Sequence, residues 1–308
     1  MGCDVRAARH FIQANARLLD QRLASVVLDG GEPEGIVSAL KAYQNADGGF
    51  GHGLEPDKRA PASQPLDVEI AFEYLATAGV QATALTTPAC DWLDSIAAAS
   101  GAVPVLLPSV AGFPRAAHWE PTRYEPSLNP TAAIVAHAHA LGVNHPWVGR
   151  ATAWCFGQIT QGRVPSSAVT LLTVAKLVSA QREQPEAAAA ARLAAAAIPT
   201  AEWMMLDAEA TDYGVTPLDF APTPSSVARD WFSDDVMAAH LDRLERDQQP
   251  DGGWPLLWTP PSQAATCEWR AIRTLAALRT LVAYGRTSVR STLPSPGNPD
   301  AKPDPAVR

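Results

Sequence analysis

Gln44-Asn45-Ala46-Asp47-Gly48-Gly49-Phe50-Gly51-His52-Gly53 is the stretch that decides the fold, because the chain repeats its centre near the other end as Gln249-Pro250-Asp251-Gly252-Gly253-Trp254. A Pro-x-Ser-Gln loop follows each copy, at 61–64 and at 260–263. A glutamate then stands at the same distance from each serine, Glu69 and Glu268, inside an apolar helical run. A unit that recurs at both ends of a chain is typical of a repeat architecture.

The residue types of this unit predict a sharp turn between two helices. Paired glycines allow positive φ and close approach of the backbone. The aspartate before them suits a turn, because its short carboxylate accepts hydrogen bonds from nearby N–H groups. Gln44 and Gln249 are expected at helix ends, where a side-chain amide reaches unpaired backbone groups. The aromatic residue after the glycines, Phe50 or Trp254, is expected to fill the gap between neighbouring helical hairpins.

Length and composition narrow the class of protein. The chain has 308 residues, of which 47% are hydrophobic, enough for a domain with a sizeable core. A net charge of -8 without a basic stripe argues against nucleic acid as a partner. We expect neither a signal peptide nor a membrane span, since no apolar run is long enough. The four cysteines are far apart, so reduced thiols in a cytoplasmic protein are expected.

Helical periodicity covers most of the chain, and no segment has the pattern of a strand. We therefore expect an all-α fold with one domain at 1–286, made of about five or six helical hairpins, and a disordered, proline-rich tail at 287–308. Such hairpins stack as an open solenoid or close into a ring, and the matching terminal units favour the ring. Helices are predicted at 5–28 (one helix or two), 34–45, 66–78, 88–99, 130–141, 146–160, 167–181, 186–198, 234–248 and 264–284.

The two glycine turns resemble those of known families. The first is similar to the turn of protein prenyltransferase β subunits, and residues 249–254 resemble the QW repeat of squalene cyclase and other class II terpenoid cyclases. The resemblance implies an α/α toroid, in which this turn joins an outer helix to an inner one. It makes 66–78 and 264–284 inner helices and 34–45 and 234–248 outer ones. It covers the turns closely and the rest of the chain by helix pattern.

The chain lacks the motifs on which the activities of these families depend. Protein prenyltransferases hold zinc partly through an Asp-x-Cys pair, but no aspartate stands two positions before Cys267. Class II cyclases protonate their substrate from Asp-x-Asp-Asp, and the nearest segment, 232–235, lacks the first aspartate and lies on a predicted outer helix. His137 and His139 fall on different faces of one helix. We therefore predict no metal site and no cofactor, with magnesium only as the companion of a diphosphate substrate.

Two candidate proton donors stand on the predicted inner helices. Glu69 and Glu268 lie near the helix starts, which a ring would gather around the mouth of a central cavity. A carboxyl group in an apolar cavity has a raised pKa and can act as an acid. In the structural alternative, these carboxylates bind helix N–H groups, or Arg270 and Arg273.

Two further candidate donors, Glu55 and Asp57, stand in the long loop after the first turn. A loop of this length in a compact domain is often functional. The intervening Pro56 stiffens the pair, which suits the positioning of a proton donor. The alternative is a charged surface loop with internal ion pairs involving Lys58 and Arg59.

Aromatic and polar residues near these acids are the candidates for substrate binding. Aromatic faces stabilise cations, as a carbocation cyclase needs, and sugars also stack on tryptophan. Structural packing is the competing role for most of the nine tryptophans. The candidate substrate-binding residues are His52, Asp67, Tyr213, Trp254, Trp258, Trp269 and Arg270.

Three functions remain open from the sequence. The first is a terpenoid cyclase-like enzyme, an isomerase or lyase, that protonates an isoprenoid from one of these carboxyl groups in an aromatic-lined central cavity. The second is a lyase, isomerase or hydrolase of carbohydrates on the same kind of toroid, for which paired carboxylates serve equally well. The third is a binding or scaffold protein that keeps the fold without catalysis. Each of the first two has a small molecule as its partner.

Overall fold

The protein is built from helices across the residues that the structure describes. In this computed structural model these are residues 2–120 and 124–288, which contain twelve α-helices and no strand. The expected all-α class is confirmed, while residues 289–308 of the predicted tail lie outside the described part. The helices are Val5–Asn15 (α1), Leu18–Asp29 (α2), Glu34–Leu40 (α3), Pro65–Ala78 (α4), Thr83–Ile96 (α5), Leu128–Ala140 (α6), Pro146–Thr160 (α7), Ala168–Ala180 (α8), Pro185–Ala197 (α9), Pro217–Phe220 (α10), Asp234–Arg246 (α11) and Gln263–Ala283 (α12).

Contacts between helices follow the chain with a regular step. The even-numbered helices α2, α4, α6, α8 and α10 form one series, in which each helix contacts the next. The odd-numbered helices lie against this series: α3 on α2 and α4, α7 on α6, and α9 on α8. α12 contacts α11, but it also contacts α1 and α2. The last hairpin of the described chain therefore packs against the first.

Most helix boundaries follow local sequence signals. Ser233 accepts a hydrogen bond from the Val236 N–H at the start of α11, and Ser262 caps α12 in the same way. Gly79 ends α4 in the left-handed conformation. Two predictions are wrong at their ends: the helix predicted at 88–99 is Thr83–Ile96, with Pro88 inside it, and the helix predicted at 34–45 ends at Leu40. Gln44 is not helical because it already pairs with Phe50 across the glycine turn.

The centre of the hydrophobic core is formed by α4, α6 and α8. In α6 every residue from 130 to 136 is buried, since small alanine side chains let α4 and α8 approach from two sides. The alanine-rich α9 buries Ala187, Ala190 and Ala194 at helical spacing. None of the described helices combines the length and the apolar character that crossing a bilayer requires.

The first glycine turn is held together by side chains from its own segment. The Asp47 carboxylate accepts a hydrogen bond from the Gly49 N–H at 2.9 Å. The Gln44 side-chain amide donates to the Gly48 carbonyl and to the Leu85 carbonyl, both at 2.9 Å. Because Leu85 belongs to α5, the turn is fastened to the following hairpin as well as to its own.

The second glycine turn repeats this arrangement with a different glutamine. Gln248 donates to the Gly252 carbonyl at 3.0 Å and to the Asp4 carbonyl at 2.9 Å, as Gln44 does in the first turn. The prediction that Gln249 is the counterpart of Gln44 is therefore wrong by one position, since Gln249 donates instead to a carbonyl within its own turn. Asp4 directly precedes α1, so the second turn is fastened to the start of the chain.

Both turns need glycine for two reasons. Gly48 and Gly252 have φ of +92° and +90°, where side chains are strained. A Cβ at Gly48 would lie 2.4 Å from the Pro88 carbonyl oxygen of α5, and one at Gly252 would lie 2.3 Å from the Ala7 carbonyl oxygen of α1. The backbone of each turn therefore lies directly on an odd-numbered helix, α5 in one case and α1 in the other.

Replacing either glycine with alanine should destabilise the protein. We expect Gly48→Ala and Gly252→Ala each to lower the free energy of unfolding by about 2 kcal/mol or more, since strain and a backbone clash add together. Denaturant unfolding of the purified variants measures this.

Two other glycines serve as controls for that measurement. Gly112 has φ of +86° with open space where a Cβ would lie. Gly112→Ala therefore measures the cost of backbone strain alone, which we expect to be about 1 kcal/mol. Gly149 lies inside α7 in open space, and Gly149→Ala should be neutral or slightly stabilising. Equal losses in Gly48→Ala and Gly112→Ala would show that the close approach of the turn to α5 contributes nothing.

Candidate active site

Residues 53–58, in the segment after the first turn, are buried. Glu55 is 3% exposed, Asp57 2% and Lys58 0%. The alternative of a charged surface loop is therefore wrong. Burying charged groups is costly unless they are paired or neutralised, so the partners of these three side chains determine what the segment can do.

Asp67, in the first turn of α4, holds this segment in place. One carboxylate oxygen forms a short ion pair with the Lys58 ammonium group, and the other accepts a hydrogen bond from the Glu55 backbone N–H at 2.8 Å. The side chains of Lys58 and Asp67 are both fully buried. Both oxygens of Asp67, predicted to bind substrate, are thus bound to the loop.

Residues from α2 and α4 fix the start of the same segment. The Arg17 guanidinium donates to the Leu54 carbonyl at 2.7 Å and to the Asp20 carboxylate at 2.8 Å. The Tyr74 hydroxyl donates to the other oxygen of Asp20 in a short hydrogen bond. This buried Arg-Asp-Tyr group fixes the backbone directly before Glu55, at the Leu54 carbonyl.

A second stretch of chain covers the other side of the two acids. The Ala116 N–H donates to the Asp57 carbonyl at 2.7 Å, and the Arg59 N–H donates to the Pro114 carbonyl at 2.9 Å. These bonds bring His118 over Asp57, with 3.7 Å between its Nε2 and the carboxylate. His118 is half exposed, so it stands between Asp57 and the solvent.

Glu55 is held as a neutral carboxylic acid at neutral pH. Burial raises its pKa to about 8, and the nearby Asp57 and Asp67 carboxylates add to this, while Lys58 opposes it. Its Oε2 has no hydrogen-bond partner in the described protein. A carboxyl group that is protonated near neutral pH is suited to act as a general acid.

Asp57 differs from Glu55 in its contacts. Burial raises its pKa, whereas the neighbouring His118 and the indole N–H groups of Trp269 and Trp258 lower it. The Trp258 Nε1–H donates to its Oδ2 at 3.2 Å. Its Oδ1 has no partner. The pair therefore combines a proton donor, Glu55, with a carboxyl group that accepts one hydrogen bond, from the Trp258 indole N–H.

Four aromatic rings extend from Asp57 toward the surface. Trp269 and Trp258 meet edge to face with 5.3 Å between ring centres, and Trp258 meets Tyr213 in the same way at 5.6 Å. Tyr213 is followed by Trp203 at 6.3 Å. Edge-to-face contacts of this kind are favourable, so the rings form a continuous aromatic row, Trp269-Trp258-Tyr213-Trp203.

Buried polar atoms without a partner are concentrated in this region. Among the described residues five such atoms are found, and four belong to Glu55, Asp57, Trp119 and Trp269. Two are carboxyl oxygens and two are indole N–H groups, so acceptors and donors are both present. Buried polar groups are normally satisfied, and a partner other than the protein is the expected explanation.

A second charged cluster lies farther along α4. Glu69 and Glu73 stand one turn apart, and the Lys176 ammonium of α8 lies 3.5 Å from the first and 3.2 Å from the second carboxylate. Lys176 lowers the pKa of Glu73 to about 2, while burial raises that of Glu69 to about 7. Burial lowers the pKa of His137, on α6, to about 4. At neutral pH the cluster therefore holds an ionised carboxylate on Glu73 and a carboxyl group on Glu69 that is about half protonated. Beside them lie the Lys176 ammonium and a neutral imidazole.

The same cluster contains a set of side chains that could hold a metal ion. One atom each from Glu69, Glu73 and His137 lie within 4.8 Å of one another. However, Lys176 pairs with both glutamates, so a cation of the protein already neutralises them. His137 joins this cluster without His139, which contacts Thr152 instead. A metal ion would have to displace the lysine.

The other predicted site residues have structural contacts. Glu268 pairs with Arg59 at 2.9 Å rather than with Arg270 or Arg273. Arg270 forms a bidentate pair with Asp251 and lies 4.5 Å from the centre of the Phe11 ring. Trp254 is buried, and its indole N–H donates to the Leu244 carbonyl. His52 is exposed and hydrogen-bonded to the Asn45 side chain.

Two depressions are found on the described surface, and one of them borders the aromatic row. One of about 500 Å³ lies beside the second glycine turn and is lined by Trp258, Thr266 and Arg270. Another of about 110 Å³ lies between α10, α11 and α12 and is lined by Asp219, His240 and Arg273. Neither contains Glu55 or Asp57. Trp258 links the larger depression to Asp57, so the buried acids lie behind an aromatic wall.

Comparison with known proteins supports the fold and adds nothing about the reaction. No family model matches the sequence. No curated protein matches it either. In structure the chain is similar to a protein from Actinoplanes known from its crystal structure, with a TM-score of 0.54 and 15% sequence identity, over 91% of this chain and 98% of that one. A likeness at this identity shows a shared fold only.

Breaking the Lys58–Asp67 pair from one side should destabilise the protein strongly. Lys58→Met leaves the Asp67 carboxylate buried without its cation, so we expect a loss of about 3–5 kcal/mol in the free energy of unfolding. The double variant Lys58→Met/Asp67→Asn leaves no uncompensated charge and keeps an acceptor for Glu55, and it should recover much of the loss. Arg246→Met, which breaks an exposed pair with Glu209, should change stability little. Similar losses in Lys58→Met and Arg246→Met would contradict this account.

The state of Glu55 can be measured through stability without a substrate. A folded-state pKa of about 8, against about 4.3 in the unfolded chain, means that the folded protein holds a proton that the unfolded chain releases. Stability due to this group is therefore full below about pH 4.3 and is lost as the pH rises toward 8. Glu55→Gln removes the effect, so its Tm should fall less than the wild-type Tm between pH 5 and pH 8. Parallel Tm profiles would show that Glu55 is ionised in the folded protein.

Proposed function

We propose that the helices form an α/α toroid, with the even-numbered helices inside and the odd-numbered helices outside. Three observations support this. Helices α2, α4, α6, α8 and α10 contact one another in succession, α12 returns to α2, and the second glycine turn packs on α1 as the first packs on α5. The start of the chain thus takes the position of the next outer helix, as closure of a ring requires.

We further propose that the protein is an enzyme that uses Glu55 as a general acid, in the manner of class II terpenoid cyclases. The observation that carries this proposal is a buried, neutral carboxyl group with a free oxygen, close to Asp57, whose carboxylate contacts the aromatic row through Trp258. If the protein were a scaffold without catalysis, every candidate carboxyl group would be engaged in a structural ion pair or hydrogen bond. Asp67, Glu73 and Glu268 are tied up in this way, but Glu55 Oε2 and Asp57 Oδ1 are not.

The proposed reaction starts with transfer of the Glu55 proton to a carbon–carbon double bond of an isoprenoid. The positive charge that forms on carbon is stabilised by the faces of Trp258 and Trp269. Asp57 stabilises the same charge electrostatically, because it is close to both tryptophans. The carboxylate left on Glu55 is neutralised in part by Lys58. Transfer of a proton from the cyclised cation back to the Glu55 carboxylate completes a cyclase reaction that needs no further reactant.

A carbohydrate substrate is the second candidate, and one observation favours it. The free carboxyl oxygens of Glu55 and Asp57 and the free indole N–H groups of Trp119 and Trp269 are acceptors and donors of the kind that hydroxyl groups satisfy. In that case Glu55 would protonate a glycosidic oxygen while Asp57 acts as base or nucleophile.

Isotope incorporation distinguishes the two reactions. Purified protein is incubated with polyprenyl substrates in D₂O and with oligosaccharides in H₂¹⁸O, and products are examined by mass spectrometry. Cyclisation started by protonation places one deuterium on carbon, whereas glycoside hydrolysis places one ¹⁸O in the product. Deuterium in a cyclised isoprenoid supports the first candidate. Incorporation of neither label with any substrate would overturn the proposal of a Glu55-dependent enzyme.

Replacement of the acid is the matching mutational test. Glu55→Gln keeps the shape but cannot donate the proton, and we expect turnover to fall by at least 10²-fold with the fold intact. Because Glu55 must be protonated, the wild-type rate should decline as the pH rises above about 8. Glu268→Gln, which alters a carboxylate paired with Arg59, is the control and should keep most of the activity. Full activity in Glu55→Gln would assign the proton to another group.

A further inference from the structure

Trp203 combines exposure with backbone strain. Its side chain is 57% exposed although it is a large aromatic residue. Its φ is +64°, in the left-handed region, and Trp203 and His52 are the two described residues other than glycine with positive φ. Bulky side chains rarely adopt this conformation. The chain therefore accepts a strained position in order to present this ring to solvent.

The surrounding backbone fixes that position from two sides. The Val215 N–H donates to the Trp203 carbonyl at 2.8 Å, and the Met205 N–H donates to the Val215 carbonyl at 2.9 Å. On the other side, Glu202 exchanges backbone hydrogen bonds with Ser166 and Ala168 at the start of α8, at 2.8 and 2.9 Å. The orientation of the Trp203 ring is thus set by the fold.

The position of Trp203 connects it to the candidate active site. It is the outer member of the aromatic row, and its neighbour Tyr213 is itself 44% exposed. From Tyr213 the row continues through Trp258, whose N–H binds Asp57. An accessible set of aromatic faces therefore runs from solvent to the buried carboxyl pair.

We propose that Trp203 and Tyr213 form a distal binding subsite for an extended, uncharged substrate whose near end reaches Glu55 and Asp57. Backbone strain at functional sites persists where the surrounding structure enforces it. The strain at Trp203 is not offset by burial of its side chain, because the ring is largely exposed. These two rings would bind a ligand that presents C–H groups at regular intervals along its length. An isoprenoid chain and a row of sugar rings both have this property. This inference rests on the proposed function, because the same carboxyl pair defines the near end.

Binding measured without turnover tests the subsite separately from the reaction. Glu55→Gln serves as the inactive background, and intrinsic tryptophan fluorescence reports binding of two probe series, polyprenols of 15 to 30 carbons and cello-oligosaccharides of two to six units. Adding Trp203→Gly should weaken binding of the longest members by at least tenfold and leave the shortest binding member unchanged. The series that shows this dependence on length identifies the source of the ligand.

Glycine suits a positive φ, so Trp203→Gly should keep or raise the Tm. Leu18→Ala, which removes an apolar side chain of equal exposure on α2, is the matched control and should not change affinity.

Three results would overturn the subsite. They are equal affinities with and without Trp203 at every length, a marked fall in the Tm of Trp203→Gly, and no binding of either series. A length-dependent loss of binding by Trp203→Gly, together with no turnover by the wild-type protein, would keep the subsite and reject the proposed reaction.

Discussion

The ion pair between Lys58 and Asp67 is the interaction on which the candidate site depends. Two opposite charges lie without solvent exposure, and the carboxylate also binds the Glu55 backbone N–H. A buried pair of this kind gives little net stability over an apolar pair, but it is costly to break from one side. It therefore acts as a constraint on geometry, because the loop can place Lys58 against α4 in one way only.

That constraint sets the electrostatics of the acids. Lys58 is paired with Asp67 and lowers the pKa of Glu55 only in part, so burial and the two neighbouring carboxylates keep Glu55 protonated. Asp57, two residues on, accepts a hydrogen bond from the Trp258 indole N–H and lies beside a half-exposed histidine. Two carboxyl groups of one tripeptide thus acquire different properties because α4 fixes the first and the tryptophans surround the second.

The two glycine turns show how much of the fold was predictable. Asp-Gly-Gly-aromatic specifies a local conformation, so both turns, the helices that flank them and the all-α class could be predicted from the sequence. The position of Pro88 inside α5 could not be predicted in this way. Nor could the equivalence of Gln44 and Gln248, since it depends on their hydrogen bonds to Leu85 of α5 and to Asp4 before α1. The site was predicted in part: Glu55, Asp57, Trp258, Trp269 and Tyr213 do come together. His118 and Trp203 had no local signal, because distant segments bring them to the row.

The sequence by itself determined the repeat, the turns, the helical periodicity and the chemical types available for a site, because these depend on neighbours along the chain. The tertiary structure alone decided which acid is neutral. Glu69 and Glu268 occupy equivalent positions in the repeat, yet one meets Lys176 of α8 and the other meets Arg59 of the buried loop. The pKa of a carboxyl group depends on burial and on charges within a few ångströms. Those charges come from segments up to 209 residues apart, and only the packing of the helices brings them together.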